Sequence, residues 1–124
     1  MKKTILVVDD SAMIRHIIAQ ILSESGYIVL TARDGKEGYE LTKQHQPQLV
    51  IMDVEMPVMD GIRATALIKS EPQTHHIPVM IFTSLGGEND IRRAQEAGCQ
   101  GFLNKPISKE AIQAEVKKML GNPR

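Results

Sequence analysis

Five short apolar runs punctuate the chain, at Ile5 to Val8, Ile28 to Thr31, Leu49 to Met52, Val79 to Phe82 and Gly101 to Leu103. The run from Leu49 is uninterrupted and contains β-branched residues, the pattern of a strand buried on both faces, and those from Ile5 and Val79 match it. Between the runs the apolar positions change to helical spacing. Ile14, Ile17, Ile18, Ile21 and Leu22 form one stripe that Ser11 caps and Gly26 stops. Asp34 followed by Glu37 resembles a capping box and opens a second helix running to about Gln46, which Pro47 separates from the next strand. Gly38 inside that helix weakens it by up to about 1 kcal/mol, so close packing against the sheet is expected there. A third helix carries Ile62, Leu67 and Ile68 and fades into the polar segment Ser70 to His76. A fourth, with Ile91, Ala94 and Ala97, follows the Gly86-Gly87 pair and stops at Gly98. The last, capped by Ser108, turns Ile112, Val116, Met119 and Leu120 inward. The tail Gly121 to Arg124 is expected to fray.

Strands that alternate with helices imply an α/β fold, here a doubly wound, five-stranded parallel sheet with helices on both faces. Crossovers between parallel strands are almost always right-handed, so each returns the chain to the same edge of the sheet. In the flavodoxin-like strand order 2-1-3-4-5 the chain reverses direction between strands one and three, which opens a crevice there. Asp9, Asp10, Asp53, Thr83 and Lys105 all fall at the carboxyl ends of strands. The predicted topology therefore gathers them on one edge, with Asp10 and Asp53 on either side of the crevice.

The chain has 124 residues, 42% of them hydrophobic and 24% charged, which fits one domain over 1–124 without a linker or repeat. Fifteen basic and fifteen acidic side chains balance, which argues against direct binding of nucleic acid through bulk positive charge. The single cysteine, Cys99, excludes an internal disulfide framework and suits a reducing compartment. No apolar run is long enough for membrane insertion, and Met1-Lys2-Lys3 leads straight into a strand without the features of a signal peptide. These features predict a cytoplasmic location.

The chemistry concentrates in the acids. Asp53 ends the central strand just before the turn formers Pro57 and Asp60-Gly61, where its plainest role is to cap a turn. Three carboxylates within roughly 5 Å of one another, however, repel by about 3 kcal/mol per pair at an effective dielectric near 20. A hard divalent cation relieves that repulsion, and magnesium accepts one or two carboxylates together with waters and phosphate oxygens. A lysine at the same edge suits a phosphoryl group, and a threonine hydroxyl can bond one of its oxygens. Asp53 is the best placed nucleophile for forming an aspartyl phosphate.

Four motifs in order, Val-Asp-Asp-Ser at 8 to 11, Met-Asp-Val-Glu-Met-Pro-Val-Met-Asp-Gly at 52 to 61, Thr-Ser at 83 and 84 and Lys-Pro at 105 and 106, carry a resemblance covering nearly the whole chain. The chain closely resembles the receiver domain of bacterial two-component response regulators, a family of doubly wound domains that includes a chemotaxis regulator. The resemblance implies that Asp53 accepts a phosphoryl group from a sensor histidine kinase or histidine phosphotransfer protein. It also implies that Asp10, Asp53 and the backbone carbonyl of Glu55 bind Mg2+, that Asp9 assists, and that Lys105 holds the phosphate before a cis bond to Pro106. Phe102 falls at the place of the family's switch aromatic, to which Thr83 would signal. Having no hydroxyl, Phe102 can report only by rotamer and packing. Glu55 and Leu85 sit where the family tunes the lifetime of the phosphorylated form. A downstream target would bind the face made by helix 4, strand 5 and helix 5.

Plainer readings stand beside these: Phe102 as a core aromatic and Glu55 as a solvated loop acid. His75-His76 reads as a polar loop, His16 and His45 as helix-surface residues, and Cys99 as a small buried apolar group. Two other function classes remain open at this point. One is an aspartyl-phosphate phosphatase of the haloacid dehalogenase type, whose nucleophile would lie on the first strand with an aspartate two residues later; here Ser11 follows Asp9 and Glu55 follows Asp53. The other is a flavin- or nucleotide-binding module on the same fold.

Overall fold

The computed structural model describes residues 2–84 and 86–123, in the order β1 (Thr4–Val8), α1 (Ala12–Glu24), β2 (Ile28–Ala32), α2 (Gly35–His45), β3 (Leu49–Met52), α3 (Gly61–Ser70), β4 (Val79–Thr83), α4 (Glu88–Ala97), β5 (Gly101–Asn104) and α5 (Lys109–Leu120). All neighbouring strands are parallel, in the order β2-β1-β3-β4-β5. Val8 stands opposite both Ala32 and Met52, and Thr83 opposite Asn104. The residues that follow β1 and β3, Asp9 and Asp53, thus emerge side by side, and Asp53 N–H donates to the Val8 carbonyl at 2.9 Å.

Alternating side chains along the strands divide the core in two. Leu6, Val8, Val50, Met52, Val79 and Ile81 face Ala64 and Ile68 of α3 and Ala94 of α4. Ile5, Val7, Leu49, Ile51, Met80 and Phe82 face Ile18 and Leu22 of α1 and Ile112 and Val116 of α5. Burying a large aliphatic side chain from either set stabilises the fold by about 1.5–3 kcal/mol. Four of the five helix starts, all but that of α4, are fixed by side-chain oxygens that satisfy otherwise unpaired N–H groups. Ser11 accepts from Ile14 at 3.3 Å, Asp60 from Arg63 at 2.9 Å and Ser108 from Ala111 at 3.2 Å. Asp34 accepts from Glu37 at 2.8 Å, but the Glu37 carboxylate accepts in return from Arg33 N–H, one residue before the cap.

As the expected strand order requires, β2 lies at the sheet edge, paired only with β1, and Ile28 on it is exposed. Two expectations are revised. The polar segment after α3 is not wholly superficial: Thr74 is fully buried and its hydroxyl donates to the Ile68 carbonyl at 2.7 Å, satisfying a carbonyl in the last turn of α3. The tail over 121–123 is tied down rather than frayed, since Lys3 N–H donates to Pro123 O at 2.6 Å and the Tyr27 hydroxyl to Gly121 O at 3.3 Å. Lys3 ahead of β1 and Pro123 beyond α5 thus meet, and backbone groups that would otherwise be left to solvent find each other. Leu85 and Arg124 lie outside the described residues.

The packing inferred for Gly38 is present, since a Cβ there would sit 2.8 Å from Val8 Cγ2 on β1. Gly61 is tighter, because its Cβ would lie 1.8 Å from the Asp53 carbonyl oxygen, a backbone atom. Gly61→Ala is therefore expected to destabilise the protein by about 2–4 kcal/mol, as overpacking against immovable backbone does. Urea unfolding of the two proteins checks this, and a loss below about 0.5 kcal/mol would mean the β3–α3 turn yields freely.

Candidate functional site

At the carboxyl edge of the sheet the four charged residues expected there converge. Asp9, Asp10 and Asp53 each offer a carboxylate oxygen, all lying within 4.8 Å of one another. Asp9 and Asp53 are buried and Asp10 is exposed, so the site opens on the Asp10 side. Lys105 reaches in from the end of β5. Its Nζ lies 3.0 Å from Asp9 Oδ2 and 3.3 Å from Asp53 Oδ1, above the Phe82 ring at 5.6 Å from its centroid. Lys105 N–H donates to the Thr83 carbonyl at 2.9 Å, and the Lys105–Pro106 bond is cis.

Backbone donors fix the acids in place. Asp9 Oδ1 accepts from Ser11 N–H and Asp53 Oδ1 from Val54 N–H, both at 2.9 Å. Sequence reasoning missed Arg15, one turn into α1, whose Nη1 donates to the Asp9 carbonyl at 2.6 Å. No local pattern announces a helix side chain reaching back to a strand end. It also missed Val58, whose backbone is left-handed at φ 70 although β-branched residues disfavour that region.

Burial, and next the charge of Asp9, push the Asp53 carboxyl from its ordinary 3.8 up to about 6, against the opposing pull of Lys105 and of Val54 N–H. For Lys105, burial alone would lower the ammonium, but the hydrogen bond to Asp9 and the charges of Asp53 and Asp9 outweigh it and raise it. Three acids thus face one lysine, a surplus of negative charge that suits a hard divalent cation bound through Asp10 and Asp53. Glu55 lines the same open cleft as Asp10.

The raised Asp53 value has a definite sign. An acid whose folded-state pKa exceeds its unfolded value stabilises the fold below about pH 4, and that contribution is lost as pH rises through about 6. Without divalent metal, Asp53→Asn is expected to be more stable than the parent at pH 7.5, by something on the order of 2 kcal/mol, with the gap closing towards pH 4. Unfolding curves across this range are the check; a gap that widens on acidification contradicts the burial of this charge.

Thr83 and Phe102 wall a narrow groove with Val54, Ile62, Asp90 and Arg93 that has no room for a water molecule. Phe102 is half-buried against the α3–α4 core, so it is neither a fully enclosed core aromatic nor a free surface ring. Glu55 is exposed at the cleft. His16, His45, His75 and His76 are all exposed and take no part in the acidic cluster. Cys99 is half-buried rather than enclosed, and burial raises its thiol pKa. Among the described residues no helix is long and apolar enough to cross a membrane.

The family described as response regulator receiver domain matches residues 5–117. The polar-differentiation response regulator DivK of Brucella anthropi is 30% identical over 122 residues, covering 98% of this chain and 99% of its own. The chemotaxis protein CheY4 of Vibrio cholerae superposes with a TM-score of 0.92 at 28% identity, over 97% of this chain and 100% of that one. A CheX–CheY–BeF3–Mg2+ complex from Borrelia burgdorferi matches with a TM-score of 0.88 at 28% identity, over 94% of this chain and 87% of that chain. These likenesses disfavour both the phosphatase and the flavin- or nucleotide-binding alternatives. The chain belongs to the response regulator receiver domains, the phospho-acceptor signalling switches of two-component systems.

Proposed function

We propose that Asp53 is the residue on which this switch turns, and that the whole chain, 1–124, acts as one receiver. The observation that carries the reading is the placement of Asp53: buried at the end of the central strand, beside Lys105 at 3.3 Å and within 4.8 Å of the oxygens of Asp9 and Asp10. A carboxylate oxygen of Asp53 attacks the phosphorus of a phosphohistidine on a sensor kinase or phosphotransfer protein. The P–N bond breaks as the P–O bond forms, and the imidazole leaves carrying the bonding pair and takes up a proton. The Val54 N–H holds one oxygen of Asp53, and burial keeps competing water from its carboxylate. Lys105 moves its ammonium from the acids to the phosphoryl oxygens, and Asp9 keeps it aimed into the site. Asp10, Asp53 and the Glu55 carbonyl, with Asp9 assisting, would hold Mg2+, whose charge would offset that of the transferring group. The domain would catalyse its own phosphorylation, work in the cytoplasm, and meet its target through α4, β5 and α5.

Phosphorylation takes the charge at Asp53 from about −1 to nearly −2 and adds acceptor oxygens. Thr83 is the hydroxyl placed to answer it, and it shares a groove with Phe102. Further burial of the Phe102 ring is worth about 1–3 kcal/mol, a five- to hundredfold population shift, so the switch is graded rather than complete. Thr83→Ala is expected to accept the phosphoryl group yet lose most of the change around Phe102. NMR spectra with Mg2+ and beryllofluoride test it: a full parental shift of the Phe102 ring signals in Thr83→Ala would exclude the hydroxyl as transmitter.

A further inference from the structure

Arg93 stands where the two cavities of the site meet. It lines the open cleft together with Asp10, Glu55 and Asp60, and it also walls the narrow groove that holds Thr83 and Phe102. Among the described residues it is the one basic side chain in either lining, and three carboxylates share the cleft with it. Its guanidinium has no ion-pair partner within 4.0 Å among those residues, and the side chain is exposed. It is carried on α4, whereas Lys105 enters from the end of β5.

We propose that Arg93 is a second cationic contact for the phosphoryl group, closing over the cleft from α4 once Asp53 is phosphorylated. The inference rests on Asp53 as the acceptor. Before phosphorylation, the acids of the cleft draw the guanidinium near without fixing it, since none lies within pairing distance. Adding a phosphoryl group brings further negative charge and pairs of acceptor oxygens, which a planar guanidinium fork engages better than an ammonium does. The contact has two consequences. It screens the acyl phosphate from attacking water, and because Arg93 also walls the Thr83–Phe102 groove, it ties α4 to the phosphorylated state independently of the Thr83 hydroxyl.

The test compares the parent with Arg93→Ala, Arg93→Lys and Arg92→Ala, the last removing an equal charge from the neighbouring exposed position. Each is phosphorylated with a small acyl phosphate and Mg2+, and the decay of the phosphoryl group is timed after the donor is removed. Because the contact is solvent-exposed, Arg93→Ala should shorten the half-life by only about two- to fivefold. Arg93→Lys should restore part of it, and the difference should shrink in high salt. Arg92→Ala should match the parent. The Arg93 Nε–H NMR signal should shift on adding beryllofluoride and Mg2+, and in a Glu55→Gln background the effect of Arg93→Ala should persist. Equal effects of Arg92→Ala and Arg93→Ala, an unmoved Nε–H signal, or an effect that vanishes with Glu55→Gln would each overturn the role of Arg93. A parent that takes up neither phosphoryl group nor beryllofluoride would instead overturn the assignment of Asp53 on which the inference stands.

Discussion

Asp53→Asn is expected to take up essentially no phosphoryl group from a small phosphodonor with Mg2+, a fall of at least about a thousandfold in initial rate, because a neutral amide is a very poor nucleophile and a weaker ligand for the cation. Asp9 and Asp10 do not substitute for it. Asp9 is buried with one oxygen accepting from Ser11 N–H and the other from Lys105, and Asp10 stands exposed at the cleft, with no ion pair to a lysine among the described residues. The fold should survive, since Asn keeps the shape and loses the charge that burial disfavours. A radiolabelled donor measures the uptake. Labelling of the variant at a tenth of the parental rate or more would move the acceptor elsewhere.

Asp10→Ala should have the next largest effect, and in two opposite directions. Magnesium binding weakens because the most accessible carboxylate of the cluster is gone, so phosphorylation slows by an expected hundredfold or so. Apo stability holds or rises, because one of three mutually repelling charges within 4.8 Å is removed. For the parent, Mg2+ at ten times its dissociation constant stabilises by about 1.4 kcal/mol, and the variant at that concentration should gain almost none of it. Denaturation with and without Mg2+ reads both numbers together. If the variant keeps the parental gain, Asp10 is not a ligand.

What could be read from the chain alone was whatever depends on strand ends. Asp9, Asp10, Asp53, Thr83 and Lys105 each follow or close an apolar run, and the parallel topology brings strand ends to one edge wherever the intervening helices lie. Gly38 was legible because a glycine inside a helix calls for a packing reason, and Val8 supplies it. The rest depended on distances between segments that no local pattern encodes. Lys105 could be placed on the edge, but its simultaneous pairing with Asp9 and Asp53 follows from how far β5 lies from β1 and β3. The Arg15 contact with the Asp9 carbonyl, the placement of Arg93 between cleft and groove, and the tether from Lys3 to Pro123 are of the same kind. The exposure of Ile28 fits the edge place that the strand order 2-1-3-4-5 assigns to β2, although the apolar run by itself announces only a strand.

The claim at the centre of this account is that a phosphoryl group is carried on one carboxylate at the end of β3. An acyl phosphate is reduced by borohydride to the alcohol, which converts a phosphorylated aspartate, and no ordinary phosphoserine, phosphothreonine or phosphohistidine, to homoserine. Phosphorylating the protein with Mg2+ and a small phosphodonor, reducing it, and sequencing the peptides by mass spectrometry locates the acceptor directly. The account predicts homoserine at position 53 and at none of positions 9, 10 and 60. Homoserine at one of those positions, or phosphate that resists reduction and stays on another residue type, would contradict it.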